Sequence, residues 1–107
     1  LSLPEYFHYR RLILVLGVMA DKDISMVDYI LPLAEAVILT RPDLPRAAEP
    51  ETLAAFLKNR FPRKVMVEPK VDQALAAALA LAGADDAVLV TGSFYTVSEA
   101  RAYWQNL

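Results

Sequence analysis

Three short polar runs each hold side chains suited to binding ions. The first is Asp21, Lys22 and Asp23, closely following Gly17. Two carboxylates flanking an ammonium group can hold a phosphate, a magnesium ion or an amine. The same three residues also suit a solvated turn with Asp23 capping a helix. The run GVMADKD is no phosphate loop, because it lacks the glycine spacing and the Lys-Ser/Thr ending. The second run is Arg41 and Arg46, set among Pro42, Asp43 and Pro45. A guanidinium fork fits carboxylates and phosphates in a bidentate way, and prolines stiffen the loop that would carry it. A rigid surface loop whose arginines pair with Asp43 or Glu49 has the same composition. The third run is Thr91, Gly92 and Ser93. Glycine permits close backbone approach there, and the following helix start favours an anion. Ser93 could donate to that anion or cap the helix, and one side chain serves both roles poorly.

Other residue types narrow the chemistry. The chain has no cysteine and one histidine, His8. Thiolate metal sites, disulfides, multi-histidine metal sites and a histidine-based triad are therefore not expected, and His8 reads as a surface or interface residue. Tyr103 and Trp104 read as core or interdomain packing. Arg60, Arg63 and Lys64 form a short basic cluster, but the net charge of −2 leaves no broad field for nucleic acid. No apolar run approaches the ~18 residues that cross a bilayer, and no signal-peptide pattern is present. A cytoplasmic location without nucleic acid or membrane partners is the expectation.

These runs must be positioned by regular elements, and the periodicities supply them. Leu12 to Val18 is a continuous apolar run of the kind found in the middle of a parallel sheet. After Asp23, residues Ile24, Val27, Ile30 and Leu31 fall at helical spacing until Pro32 ends or kinks the helix. Ala36 to Thr40 is a second strand, and Arg41 to Pro50 is the longest irregular stretch. Pro50 suits the first position of a helix, with Glu49 as a possible cap. Leu53, Ala54, Phe56, Leu57 and Phe61 form its apolar stripe. Lys64 to Val67 is a short third strand. Val71 to Ala82 is helical, with Gly83 as C-cap. Asp86 to Thr91 carries the fourth strand, AVLVT, and a last helix runs through Val97, Ala100 and Tyr103/Trp104.

Strands alternating with helices imply an α/β, Rossmann-like three-layer domain with a mostly parallel sheet and right-handed crossovers. In such sheets ligands sit at the carboxyl ends of the strands, where all three polar runs fall. The 107 residues amount to one domain, 1–107, and 56% apolar residues are enough to build its core. The first residues, LSLPEYFHYRR, do not look like a domain start. The expectation is a fragment of a longer chain, lacking its first strand and most of its first helix.

Taken together, LILVLGVMADKDISMV, AVILTRPDLPRAAEP and DDAVLVTGSFYTVSEAR resemble the carboxy-terminal domain of the Mur ligase superfamily, and more narrowly of folylpolyglutamate synthase / dihydrofolate synthase. The resemblance covers nearly the whole chain from about Tyr6. It implies an ATP-dependent ligase that activates dihydropteroate or a folate as an acyl phosphate and joins it to L-glutamate. ATP and Mg2+ would serve the parent enzyme, with neither bound tightly by this fragment. The partner would be an N-terminal P-loop ATPase domain of the same chain. Carried over by position, Asp21, Lys22 and Asp23 would face the nucleotide-binding cleft between the domains. Arg41, Arg46 and Ser93 would bind the incoming glutamate, Arg46 matching the arginine of an Asn-Pro-Arg element. No catalytic residue and no metal ligand is expected in the fragment, which alone would be inactive.

The departures are specific. Leu44 stands where Asn precedes Pro-Arg in the superfamily. The Asp-x-Ala-His-Asn element belongs upstream, and His8 is not its histidine. A free-standing binding or interaction module that docks a partner through the arginine loop is the alternative. A receiver-like phosphoacceptor domain does not fit, since Thr40 and Thr91 end the strands where it needs an aspartate, and no lysine follows Lys70.

Overall fold

Strand β1 (Leu12–Leu16) is apolar and buried at every position, because it has a parallel neighbour on each side and cover on both faces. The computed structural model describes residues 10–20 and 25–105. The segment with Tyr6, Phe7, His8 and Tyr9 lies outside the described residues. After β1 come two 3-10 helices, Ser25–Tyr29 and Leu31–Leu33. The remaining elements are β2 (Ala36–Arg41), α1 (Pro50–Leu57), β3 (Lys64–Lys70), α2 (Val71–Leu81), β4 (Ala87–Thr91) and α3 (Phe94–Gln105).

The four strands form one parallel sheet in the order β3-β2-β1-β4. The chain winds one way from β1 to β3 and then crosses back to place β4 on the other side of β1. The winding therefore reverses between β1 and β4, which is where α/β sheets open a crevice. Alternation along the strands divides the core. Leu14, Leu16, Val37 and Leu39 pack with Leu53, Leu57 and Phe61 on one face. Ile13, Val15 and Ile38 pack with Ala74 and Ala78 on the other.

The local expectations hold for the strands and the last three helices, with four corrections. The helix expected after Asp23 is replaced over its described part by two 3-10 helices. Pro32 has no N–H to give, and the amides of Ile30, Leu33 and Ala34 bond three residues back instead of four. Strand β3 runs on to Lys70, three residues past the expected end. It tolerates Pro69 because it is an edge strand with a register shift opposite Leu39 to Arg41. Glu49 makes no side-chain capping bond, its carboxylate being paired with Arg41. Gly83 does not cap α2 in a left-handed conformation. The helix ends on Ala82 in extended backbone, and the Gly83 amide donates to Asp86 Oδ2 at 2.7 Å.

That contact belongs to a clamp at the amino end of the sheet. Arg11 donates to Asp86 Oδ2 from Nε at 3.0 Å and from Nη2 at 2.7 Å, and Nη2 also reaches the Leu81 carbonyl at 3.0 Å. Arg11 precedes β1 and Asp86 precedes β4, so the pair pins the entries of adjacent strands. The Arg11 hydrogen bond, helped by the Gly83 amide, pushes the Asp86 carboxyl down to about 2, against an ordinary 3.8. A lowered carboxyl pKa stabilises the fold fully above the ordinary value, and that stabilisation is lost as pH falls toward the lowered one.

Two outcomes follow. Leu14→Ala, at the fully buried centre of β1, lowers stability by about 3 kcal/mol in denaturant unfolding. A melting-temperature series from pH 5 down to 2 declines for the wild type. Asp86→Asn is less stable at neutral pH, and its decline over that range is shallower.

Candidate functional site

The carboxyl ends of three strands lie side by side, since Leu16 pairs with Leu39 of β2 and with Thr91 of β4. Gly17 and Gly92 follow directly on β1 and β4. The Gly17 amide donates to the Thr91 carbonyl at 3.2 Å. Gly92 has φ 119°, and a Cβ on it would lie 2.3 Å from the Gly17 carbonyl oxygen. Only glycine fits a backbone approach of this kind.

Above the glycines, the fully buried Thr96 donates its hydroxyl proton to the Gly17 carbonyl at 2.7 Å. Its backbone amide donates to Ser93 Oγ at 3.0 Å, and the two hydroxyl oxygens are 2.9 Å apart. The Thr96 proton is committed to a carbonyl that can only accept, so Ser93 is the donor in the hydroxyl pair. Ser93 is therefore the N-cap of α3, with its proton already used. As arranged, it offers an incoming anion no hydroxyl donor. What this end of α3 does offer is the positive end of the helix dipole.

The loops after β1 and β2 are joined along their length. The Ala20 amide donates to the Arg46 carbonyl at 2.7 Å and the Ala48 amide to the Val18 carbonyl at 2.9 Å, with an antiparallel bridge between Met19 and Ala47. Asp21, Lys22 and Asp23 lie outside the described residues, but Ala20, immediately before them, is held against Arg46. The two arginines differ in surroundings. The half-buried Arg41 is bound at 2.6 Å to Glu49 at the far end of its own loop, and it donates to the carbonyls of Leu44 and Pro45. Arg46 is exposed. On the other flank, the Asp43 amide donates to Glu99 Oε2 of α3 at 2.7 Å.

Beside this loop is an open groove of about 970 Å³, bordered by Arg41, Asp43, Lys70, Asp72, Glu99 and Tyr103. Its charges are mixed, with two cations against three carboxylates. Among the described residues no group of three or more His, Cys, Asp or Glu side chains could hold a metal ion. The basic cluster near β3 is accounted for in part, since Arg63 donates to the carbonyls of Ala34, Leu31 and Pro32 and Arg60 stacks on Phe56 at 4.0 Å.

Thr96 and Glu99 did not stand out in the sequence. Ser93 and Thr96 have the three-residue spacing of a cap and its N3 partner, a signal that finds the cap but not its second partner. Nothing local links Thr96 to a glycine 79 positions away.

Thr40 supplies a contrast with Thr96. Its hydroxyl oxygen is buried and has no hydrogen-bond partner among the described residues. Removing an unsatisfied hydroxyl and removing a satisfied one differ in sign. In thermal unfolding, Thr40→Val leaves stability unchanged or raises it by about 1 kcal/mol, whereas Thr96→Val lowers it by about 2 kcal/mol because the Gly17 carbonyl loses its donor.

Known proteins resemble this chain in sequence and fold. Residues 2–94 match the family described as Mur ligase, glutamate ligase domain. A protein of Halobacterium salinarum named a probable bifunctional folylpolyglutamate synthase/dihydropteroate synthase is 41% identical over 98 residues, covering 92% of this chain and 12% of its own length. The Mycobacterium tuberculosis folylpolyglutamate synthase solved with ADP and AMPPCP superposes with a TM-score of 0.79 at 34% identity, over 94% of this chain and 25% of its own. The E. coli FolC complex with DHPP and ADP gives 0.85 at 28% identity, over 97% and 24%. The chain thus spans about an eighth of that curated relative and about a quarter of those solved chains. With a parallel sheet, a family match over most of its residues and superposition on solved ligases, this chain belongs to the glutamate ligase domain family of the Mur ligases.

Proposed function

We propose that this chain is one domain of a longer, cytoplasmic, ATP-dependent ligase that adds L-glutamate to dihydropteroate or a folate, and that its strand-end loops receive the glutamate. The bifunctional relative carries two activities in its name. The family matched here is the glutamate ligase, so the ligase activity is the one this domain serves. In the proposed sequence the acid's carboxylate attacks the γ-phosphorus of ATP, releasing ADP and forming an acyl phosphate. The glutamate amine, having given up a proton, attacks the acyl carbon, and phosphate leaves as the amide forms.

The observation that carries this reading is the joining, at one end of the sheet, of the segment that follows β1, the loop after β2 and the turn after β4. Arg46 shares a hydrogen bond with the residue before Asp21, and the Ser93 turn is tied to Gly17 at the base of the same loop. Glutamate presents carboxylates and an ammonium group. An exposed guanidinium suits a carboxylate, the start of α3 adds favourable potential, and Asp21 and Asp23 suit positive groups in the cleft. Arg41 acts from behind, since its ion pair with Glu49 and its carbonyl contacts shape the loop. Ser93 acts through the turn it caps.

As the resemblance implies, the Mg2+ and the nucleotide phosphates are assigned mainly to the N-terminal P-loop domain proposed as the partner. Asp21, Lys22 and Asp23 would face the nucleotide from this side. Among the described residues no helix is long and apolar enough to cross a membrane.

The test is ADP release by the full-length parent with dihydropteroate or folate and L-glutamate. Arg46→Ala raises the glutamate KM about tenfold or more and leaves the ATP KM within twofold. Release that depends on a different acid or amino acid would keep the family and discard the folate assignment. A well-folded parent that releases no ADP would favour a binding module.

A further inference from the structure

The geometry points to Glu99 as a positioning residue for Arg46. It sets the loop between β2 and α1 in its glutamate-receiving shape by gripping the Asp43 amide from α3. This rests on the proposed role of Arg46 in glutamate binding.

The loop from Arg41 to Glu49 needs outside support on two flanks. One flank is the Met19–Ala47 bridge, which holds the Arg46 side of the loop against the segment after β1. Arg41 spans the loop from within, from its own backbone at the end of β2 to Glu49. The Asp43 side faces α3, and there Glu99 Oε2 accepts the Asp43 amide at 2.7 Å. Pro42 and Pro45 have no backbone N–H to offer, and the amides of Leu44, Ala47 and Ala48 donate to the carbonyls of Pro42, Leu44 and Val18, whereas the Asp43 amide is given to α3. A carboxylate acceptor makes the bond charge-assisted and stronger than one between neutral groups.

The position of Glu99 on α3 gives the contact a functional direction. Six residues before it stands Ser93, the cap of the same helix, whose turn is locked to Gly17 through Thr96. Glu99 therefore connects a helix fixed at its start to the loop that carries Arg46. The spacing between the guanidinium and the helix start, both assigned to the glutamate, is held by this bond. The partly buried Glu99 borders the groove and is not proposed to touch substrate.

The experiment uses the full-length parent enzyme with Glu99→Ala, Glu99→Gln and, as a control on the underlying reading, Arg46→Ala. Amide hydrogen exchange at Asp43 and the separate kinetic constants are measured for each. Glutamine keeps a carbonyl oxygen that can accept the same amide. The expected result is faster Asp43 exchange and a glutamate KM raised about fivefold in Glu99→Ala, with kcat, ATP KM and melting temperature close to wild type, and substantial recovery in Glu99→Gln. Unchanged Asp43 exchange in Glu99→Ala overturns the inference. So does faster exchange with an unchanged glutamate KM while Arg46→Ala raises it, and in that case the reading of Arg46 stands. If Arg46→Ala itself leaves the glutamate KM unchanged, the reading of the loop fails, and the positioning role falls with it.

Discussion

The Gly17 carbonyl lies at the point where the winding of the sheet reverses, and its need for a donor organises the carboxyl end of the domain. Buried peptide carbonyls are costly to leave unpaired. The Thr96 hydroxyl satisfies this one, which draws the first turn of α3 down over the ends of β1 and β4. Gly92 can sit beneath it only because it has no Cβ. With Thr96 committed, Ser93 is drawn into the cap. The positive potential at this end therefore comes from the helix dipole, and the serine hydroxyl is spent on the cap.

The same end shows how two arginines of one loop divide their work. Arg41, at the end of β2, is bound to Glu49 and to loop carbonyls, and so serves as an internal brace. Arg46 lies on the exposed side, with its carbonyl held by the loop that follows β1. Proline restriction, the internal brace and the flanking contacts all reduce the entropy lost when a ligand orders the loop. On the proposed function, this pre-ordering would matter for a small, highly charged amino acid, which offers little apolar area to offset that loss.

The ion-pair clamp and the polar loops lie at opposite ends of the strands. At the amino end, Arg11 and Asp86 hold the entries of β1 and β4 in register with a compact group of hydrogen bonds. At the carboxyl end, the polar side chains collect in loops that the rigid sheet supports. This division follows from parallel topology, in which every strand ends on the same side and every crossover returns to the other.

Much of the fold was legible in the sequence, because strand and helix periodicities are local and the apolar runs of β1 and β2 can be buried on both faces in few ways. The loop after β2 and the cap at Ser93 were legible for the same reason, since turn and cap preferences act over a few residues. Contacts between distant parts of the chain were decided only by the tertiary structure. Glu49 looked like a helix cap and became the partner of Arg41. Gly83 looked like a helix terminator and became a donor to Asp86. The helix after Asp23 gave way over its described part to 3-10 turns, whose shape depends on Pro32 and on the amides around it. Thr96 and Glu99 had no local signature, because their roles consist of bonds to Gly17 and Asp43, residues that the sheet and its crossovers bring to them. Local propensity thus determined which elements form and in what order. Which polar atoms must satisfy one another was settled when the parallel sheet brought the strand ends together.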